Sequence, residues 1–127
     1  MKSDAFRTAA ENQEFAEVDR LFTEDCVFRS PVVFKPYEGR DALRMILTAV
    51  GQVFEDFRYL DQLESGDTAV MRFEANVDER DVEGVDILKF ASDGQIRELT
   101  VMVRPMSGMH ALAERMRQML EGPAGSE

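Results

Sequence analysis

A single aspartate interrupts an otherwise apolar segment, GVDILKF, at residues 84–90. The segment predicts a β-strand, in which successive side chains alternate between two faces, so Asp86 shares a face with Leu88 and Phe90. A carboxyl group in apolar surroundings loses its hydration, and its pKa rises. The neutral acid could then protonate a ligand that carries a carbonyl group, or donate a hydrogen bond to it. The alternative is that Asp86 bonds nearby backbone or a tyrosine hydroxyl, or meets solvent.

The other residues able to do chemistry are few and isolated. Ser30, which precedes Pro31, either orients a ligand or hydrogen-bonds the backbone beside the proline. Tyr59 either lines a cavity with its hydroxyl free or packs in the core. His110 is the sole histidine and lacks a nucleophile or acid partner, so a structural role is expected. Cys26 is expected to be a buried, unreactive thiol.

The composition argues against several classes of function. The 127 residues carry 15 basic and 25 acidic side chains, a formal net charge of −10, and such a surface repels phosphate groups. Nucleic acids and anionic membranes are therefore not expected as partners. One cysteine allows no internal disulfide, and one histidine leaves no zinc-type spacing, so neither a metal nor a cofactor is predicted. Because no stretch has the pattern of a signal peptide or a membrane span, a cytoplasmic protein is expected.

Hydrophobic periodicity predicts helices at both ends of the chain and one between them. Two short helical patterns come first, and a Val- and Phe-rich strand over 25–34 follows, interrupted at Pro31. The clearest helix has apolar residues at helical spacing over 43–54. A last helix begins near Ser107, which can cap it.

Four strands with short links fill the region between the helix over 43–54 and the last helix. The cleanest alternates apolar and polar side chains over 71–77. Consecutive strands with hairpin-length links indicate an antiparallel sheet. The predicted class is therefore α+β, a curved sheet wrapped over helices, in a single domain over 1–121 with a flexible tail at 122–127.

The order of these elements and several motifs resemble the nuclear transport factor 2-like superfamily, which includes ketosteroid isomerases, scytalone dehydratase and SnoaL-type polyketide cyclases. The motifs are VFRSP, YEGRDAL, GVDILKF and DGQIREL, and the likeness covers roughly residues 4–121. They are specific for the superfamily rather than for one activity. The resemblance implies a cone-shaped, cystatin-like fold with a pocket at one end, and homodimers formed through the outer sheet face.

Three functional positions of the ketosteroid isomerases can be compared with this sequence. Asp86 matches the aspartate that holds the oxyanion. Ser30 stands where the general-base aspartate precedes a proline, and Phe6 where a tyrosine also holds the oxyanion. A serine without a histidine is a poor base, and phenylalanine has no hydroxyl to donate. The lack of a convincing base favours a binding module over a ketosteroid-type isomerase.

An apolar pocket is expected, with Asp86 and Ser30 as its polar points and Tyr59 and Phe6 as further ligand contacts. Its remaining lining is expected to be Met71, Phe73, Ala75, Val77, Leu88, Phe90, Leu99, Val101 and Val103. The first hypothesis is a cofactor-independent isomerase, cyclase or dehydratase that acts on a hydrophobic carbonyl compound, with Asp86 as acid or oxyanion donor. The alternatives are a non-catalytic binding module for an apolar small molecule, and a dimeric interaction domain whose pocket is filled by side chains.

Overall fold

The computed structural model of the chain describes residues 1–125, and describes side chains as far as residue 120. Its helices are α1 (Asp4–Glu11), α2 (Val18–Leu21), α3 (Arg40–Val53) and α4 (Met106–Gly125), with a 3₁₀ turn at Phe15–Glu17. The tail expected at 122–127 includes residues 126–127, which lie outside the described residues, and its flexibility stays a prediction.

Six strands form one curved, open sheet in the order β2-β1-β6-β5-β4-β3. The strands are β1 (Phe22–Arg29), β2 (Tyr37–Glu38), β3 (Glu55–Ser65), β4 (Thr68–Val77), β5 (Arg80–Phe90) and β6 (Ile96–Arg104). The last four form an antiparallel meander, as their short links predict. One pair departs from this pattern, because β1 runs parallel to β6. Parallel neighbours need a long connection, which α3 and the meander supply.

The first strand is shorter and earlier than the sequence pattern predicts. The strand expected over 25–34 begins at Phe22 and ends at Arg29, and its second half is a loop. Pro31 has no N–H for a sheet ladder. The Val32 N–H instead donates to the Ser30 hydroxyl at 2.9 Å, which turns the chain locally. Val32 and its neighbours thereby leave the sheet and lie beside its concave face.

The concave face of β4 and β5 forms the centre of the core. Every second residue of β4, including Met71, Phe73 and Ala75, is buried, which confirms the predicted alternation. Gly84 of β5 allows a close approach at this face. A Cβ atom at Gly84 would lie 2.4 Å from Phe73 Cζ and 2.5 Å from the Met102 backbone oxygen, so any side chain there would force neighbours apart.

Two helices that frame the concave face are anchored at defined points. Ser3, which is fully buried before α1, donates from its N–H and its hydroxyl to Glu64 Oε2 at 2.8 and 2.5 Å. This contact fixes α1 to β3. At the other end, Gly108 of α4 packs against Val82 of β5, and Arg115 pairs with Asp78. Both helices are thereby held over the sheet.

The convex face of the sheet is charged at its edges and apolar in part. Arg29, Arg72 and Arg104 lie on it and form ion pairs with acidic residues of neighbouring strands, as their position in the alternation predicts. Met102 of β6 is 56% exposed on the same face. Within the described part of the chain, no helix combines the length and apolar character needed to cross a membrane.

Candidate functional site

A cavity of about 430 Å³ lies between the concave face of the sheet and the helices. Strands β1, β3, β4, β5 and β6, helices α1, α3 and α4, and the loop after β1 all contribute to its wall. The apolar lining includes Phe6, Phe28, Val32, Val33, Ile46, Leu47, Val50, Phe54, Phe57, Phe73, Leu99, Val101, Leu112 and Met116. Its volume falls in the range of small-molecule sites, roughly 300–1,000 Å³.

Asp86 lines this cavity and is only 6% exposed. Its oxygen Oδ2 accepts a hydrogen bond from the Tyr59 hydroxyl at 2.6 Å. Among the described residues, no other protein group hydrogen-bonds this carboxyl. A hydrogen bond to a tyrosine hydroxyl was one of the alternatives that the sequence suggested for Asp86, and it is present in the structure. Since that contact occupies Oδ2, the second oxygen, Oδ1, is available to a molecule in the cavity.

Burial controls the protonation of the Asp86–Tyr59 pair. It raises the pKa of the Asp86 carboxyl from 3.8 to about 7, because the charged form would lose its hydration, while the Tyr59 hydrogen bond partly opposes this rise. Burial also raises the pKa of Tyr59 well above its ordinary value, and the negative charge of Asp86 raises it further. The neutral, proton-donating form of Asp86 is therefore accessible near neutral pH, while Tyr59 keeps its proton and donates it to Asp86.

Three aromatic rings, those of Phe54, Phe57 and Phe73, form the wall beside this pair. Phe57 packs edge-on against Tyr59 at 4.9 Å between ring centroids and contacts Phe73 at the same separation. Phe54 joins them, at 5.6 Å from Phe73 and 5.7 Å from Phe57. Such a cluster holds the Tyr59 ring in place and presents apolar faces to the cavity.

The structure brings seven of the sequence-predicted residues together around the cavity. Asp86, Ser30, Tyr59, Phe6, Phe73, Leu99 and Val101 all line it. The Ser30 hydroxyl already accepts the Val32 N–H. Phe6 packs edge-on against Phe22, with ring centroids 5.8 Å apart. The roles of these residues in binding a ligand stay predictions.

Four other predicted ligand residues lie on the concave face but outside the cavity lining: Ala75, Leu88, Phe90 and Val103. The same is true of Met71 and Val77, which were expected in the lining. Ala75 pairs with Val82, which α4 covers at Gly108, and Val103 pairs with Gly84 at this end of the sheet. Leu88 and Phe90 lie beyond Asp86 toward the start of α1, where Lys2 lies 5.9 Å from the Phe90 ring centroid. Strand alternation predicts the face of the sheet on which a side chain lies, but it does not predict which part of that face the helices leave uncovered.

Sequence reasoning missed the part of the wall that the helices and the β1 loop supply. The apolar stripe of α3 was recognised, and one side of it, at Ile46, Leu47 and Val50, faces the cavity rather than only the sheet. Of the five methionines in the last quarter of the sequence, Met116 lines the cavity. The methionine-rich pattern of that region was the available signal for α4.

Charged groups lie at the cavity as well. Its lining residues include Glu11 at the end of α1, Asp56 at the start of β3 and Arg117 of α4.

No cluster of three or more His, Cys, Asp or Glu side chains in the described region is arranged to hold a metal ion. His110 is exposed on α4 and does not line the cavity. Cys26 is buried as expected, and burial raises the pKa of its thiol.

This combination of curved sheet, helices and acid-bearing cavity agrees with a family comparison. Residues 4–99 match the model of the SnoaL-like domain. The chain belongs to the SnoaL-like domain family. It is therefore a member of the nuclear transport factor 2-like superfamily, as the motifs indicated. A search of curated proteins gave no significant match.

Several solved structures share this SnoaL-like fold over most of their length. One from Pseudomonas aeruginosa, described as a steroid delta-isomerase, is 42% identical, with a TM-score of 0.89 over 94% of this chain and 88% of that chain. One from Silicibacter pomeroyi DSS-3, described as an uncharacterized protein with a cystatin-like fold, is 30% identical, with a TM-score of 0.88 over 93% and 84%. An NTF2-like protein of unknown function from Mesorhizobium loti, 22% identical with a TM-score of 0.71 over 82% and 88%, shows likeness of fold alone.

Proposed function

We propose that this protein is an enzyme that moves protons on a hydrophobic carbonyl compound, as an isomerase, cyclase or dehydratase without a cofactor. Asp86 is its acid or oxyanion donor. The observation that carries the proposal is the Tyr59–Asp86 hydrogen bond of 2.6 Å in an apolar cavity of about 430 Å³. Asp86 keeps one oxygen available to the cavity.

The chemistry of this pair suits a carbonyl oxygen that gains negative charge. A neutral Asp86 donates a hydrogen bond to that oxygen, and the bond strengthens as the charge develops in the transition state. Tyr59 supports the pair because its hydroxyl remains protonated across the neutral range. The rings of Phe54, Phe57 and Phe73 beside the pair are apolar, and a hydrogen bond is stronger in such low-dielectric surroundings than in water.

The expected substrate is a largely apolar molecule with a ketone at one end. Its apolar body would lie against the aromatic wall and α3, and its ketone oxygen against Asp86. The 42% identical structure from Pseudomonas aeruginosa carries the name of a steroid delta-isomerase. That name supports a β,γ-unsaturated steroid ketone as the first compound to test.

The test compares the wild-type protein with Asp86→Asn and a matched surface control, Asp25→Asn. Asp25 is exposed on β1 and does not line the cavity. Conversion of the β,γ-unsaturated steroid ketone to the conjugated enone is followed by ultraviolet absorbance. The proposal predicts turnover in the wild-type protein and in Asp25→Asn, and a clear loss of kcat in Asp86→Asn, because the amide N–H of asparagine is a far weaker acid and hydrogen-bond donor than the carboxylic O–H that it replaces. Equal turnover in all three proteins would rule out the acid role.

A binding module for an apolar small molecule is the second candidate. The specific observation that favours it is the state of Ser30 and Phe6, which stand where the resemblance places a base and a hydroxyl donor. The Ser30 hydroxyl is engaged with Val32, and Phe6 has no hydroxyl. A saturated steroid ketone that raises the melting temperature, together with no turnover of unsaturated ketones, would select this candidate.

We also propose that the protein forms a homodimer through the outer face of its sheet. Val70, Ile87, Val85 and Met102 lie on neighbouring strands of this face and form an apolar strip across β4, β5 and β6. In the single chain Val70, Val85 and Ile87 are half-buried and Met102 is exposed. A second copy would remove the strip from water, which favours association.

A further inference from the structure

The proposed chemistry leaves one chemical role unassigned. Moving a proton on carbon requires a general base as well as an acid. The Ser30 hydroxyl is engaged with Val32 N–H, and the cavity lining of the described residues includes no histidine. Its carboxyl groups belong to Glu11, Asp56 and Asp86. Since Asp86 serves as the acid, Glu11 and Asp56 are the two candidates for the base.

Glu11 is the candidate that is connected to the acid pair. It is the last residue of α1, and its carboxylate lies 3.5 Å from Arg7 Nε. The Arg7 guanidinium lies 5.8 Å from the Tyr59 ring centroid and donates a long hydrogen bond, 3.5 Å, to the Tyr59 carbonyl. Arg7 also donates to Gln62 at 2.9 Å. These contacts fix Arg7 on β3, and Arg7 in turn holds the Glu11 carboxylate at the cavity wall.

Electrostatics support the same choice. The negative charge of Glu11 contributes to the raised pKa of the Tyr59 hydroxyl, so its field reaches the group that bonds Asp86. The Glu11 side chain is 35% exposed, so it can exchange protons with solvent between turnovers. Asp56 instead lies on the exposed first residues of β3.

We propose that Glu11 is the general base of this site, a role that rests on the proposed function. Its carboxylate removes a proton from the carbon between the ketone and the double bond. The electrons of that C–H bond form an enolate, whose oxygen is held by the Asp86 hydrogen bond. Protonated Glu11 then returns the same proton to the far carbon of the original double bond. The enolate collapses to the conjugated ketone, and no oxidant, reductant or metal takes part.

The experiment measures isomerisation of the β,γ-unsaturated steroid ketone in Glu11→Gln, Asp56→Asn, Asp86→Asn and the control Glu14→Gln. Glu14 follows α1, is exposed and lies outside the cavity lining. The proposal predicts that Glu11→Gln loses roughly 10²–10⁴-fold in kcat, the usual contribution of a general base. Glu14→Gln keeps wild-type activity. Glu11→Gln also keeps the wild-type melting-temperature shift with a saturated steroid ketone, because a base acts on the reacting carbon and not on binding.

Each outcome assigns or overturns the role. If turnover is lost in Asp86→Asn but kept in Glu11→Gln, the site works with another base, and Glu11 is excluded while the proposed function stands. Loss in Asp56→Asn alone would move the role to Asp56. If the wild-type protein binds the saturated ketone but converts no unsaturated one, the proposed function fails and the role of Glu11 fails with it.

Discussion

The buried acid Asp86 makes the stability of this protein depend on pH in a way that one substitution should remove. The pKa of Asp86 is raised from 3.8 to about 7 in the folded protein. Between these values the native state holds a proton that the unfolded chain has released. Unfolding therefore releases a proton, and the free energy of unfolding falls as the pH rises. The stabilising effect of the proton is fully present below about pH 4 and is lost as the pH passes through 7.

The size of this effect follows from the pKa values. The difference between about 7 and 3.8 is roughly 3 pH units, and each unit corresponds to about 1.4 kcal/mol. Ionising Asp86 in the folded state thus costs roughly 4 kcal/mol, a large part of the 5–15 kcal/mol typical of a domain. Tyr59 does not titrate in this window, because its pKa lies well above the ordinary value.

Urea unfolding of the wild-type protein and of Asp86→Asn between pH 4 and pH 8 provides the assay. Asparagine keeps an oxygen that can accept the Tyr59 hydroxyl, and it cannot ionise. Every other carboxylate titrates in both proteins and cancels in the comparison. The stability of the wild-type protein relative to Asp86→Asn should fall by roughly 4 kcal/mol over this range. The control Asp25→Asn should show no such trend, and a pH-independent difference for Asp86→Asn would refute the burial argument.

Three further predictions concern Tyr59, Gly84 and Met102. Tyr59→Phe removes the hydrogen bond that lowers the pKa of Asp86, so in urea unfolding the fall of stability with pH should end at a higher pH than in the wild-type protein; an unchanged end point would contradict this coupling. Gly84→Ala places a Cβ atom 2.4 Å from Phe73 Cζ. It should lower the free energy of unfolding, measured by urea unfolding, by about 1–3 kcal/mol. A variant as stable as the wild-type protein would show that the neighbouring strands can move apart there without cost. Met102→Glu puts a charge on the apolar outer strip and should convert a dimer into a monomer in light scattering, and a wild-type protein that is monomeric at micromolar concentration would contradict the proposed dimer.

The sequence predicted the fold best in strands whose side chains are alternately buried and exposed. In β4 the alternation of Met71, Phe73 and Ala75 defines the inner face, because an error of one residue would expose all of them. The same alternation placed Asp86 on one face with Leu88 and Phe90, and the family resemblance indicated that this face points inward. The fold class was recognisable for a second reason: the four-strand meander is built from short links between strands that follow one another in the sequence. The parallel pairing of β1 with β6 joins segments distant in the chain and left no local pattern.

The position of the cavity was less predictable than the face on which it opens. Whether Leu88 or Val101 lines it depends on where α1, α3 and α4 stop covering the sheet, which tertiary packing decides. The loop after β1 contributes Val32 only because the chain leaves the sheet at Ser30. Glu11 gave no sequence signal, since an exposed glutamate at a helix end has no unusual pattern.

The most direct test of the central claim is a titration of the Asp86 side-chain carboxyl carbon by nuclear magnetic resonance, in the free protein and with a bound saturated steroid ketone. The claim is that Asp86 is a buried acid that donates a hydrogen bond to a carbonyl ligand. It predicts a midpoint at a pKa of about 7 in the free protein. The midpoint should be higher in the complex, because the bound ketone stabilises the protonated form. A midpoint near 3.8, or one that the bound ketone does not move, would contradict the account.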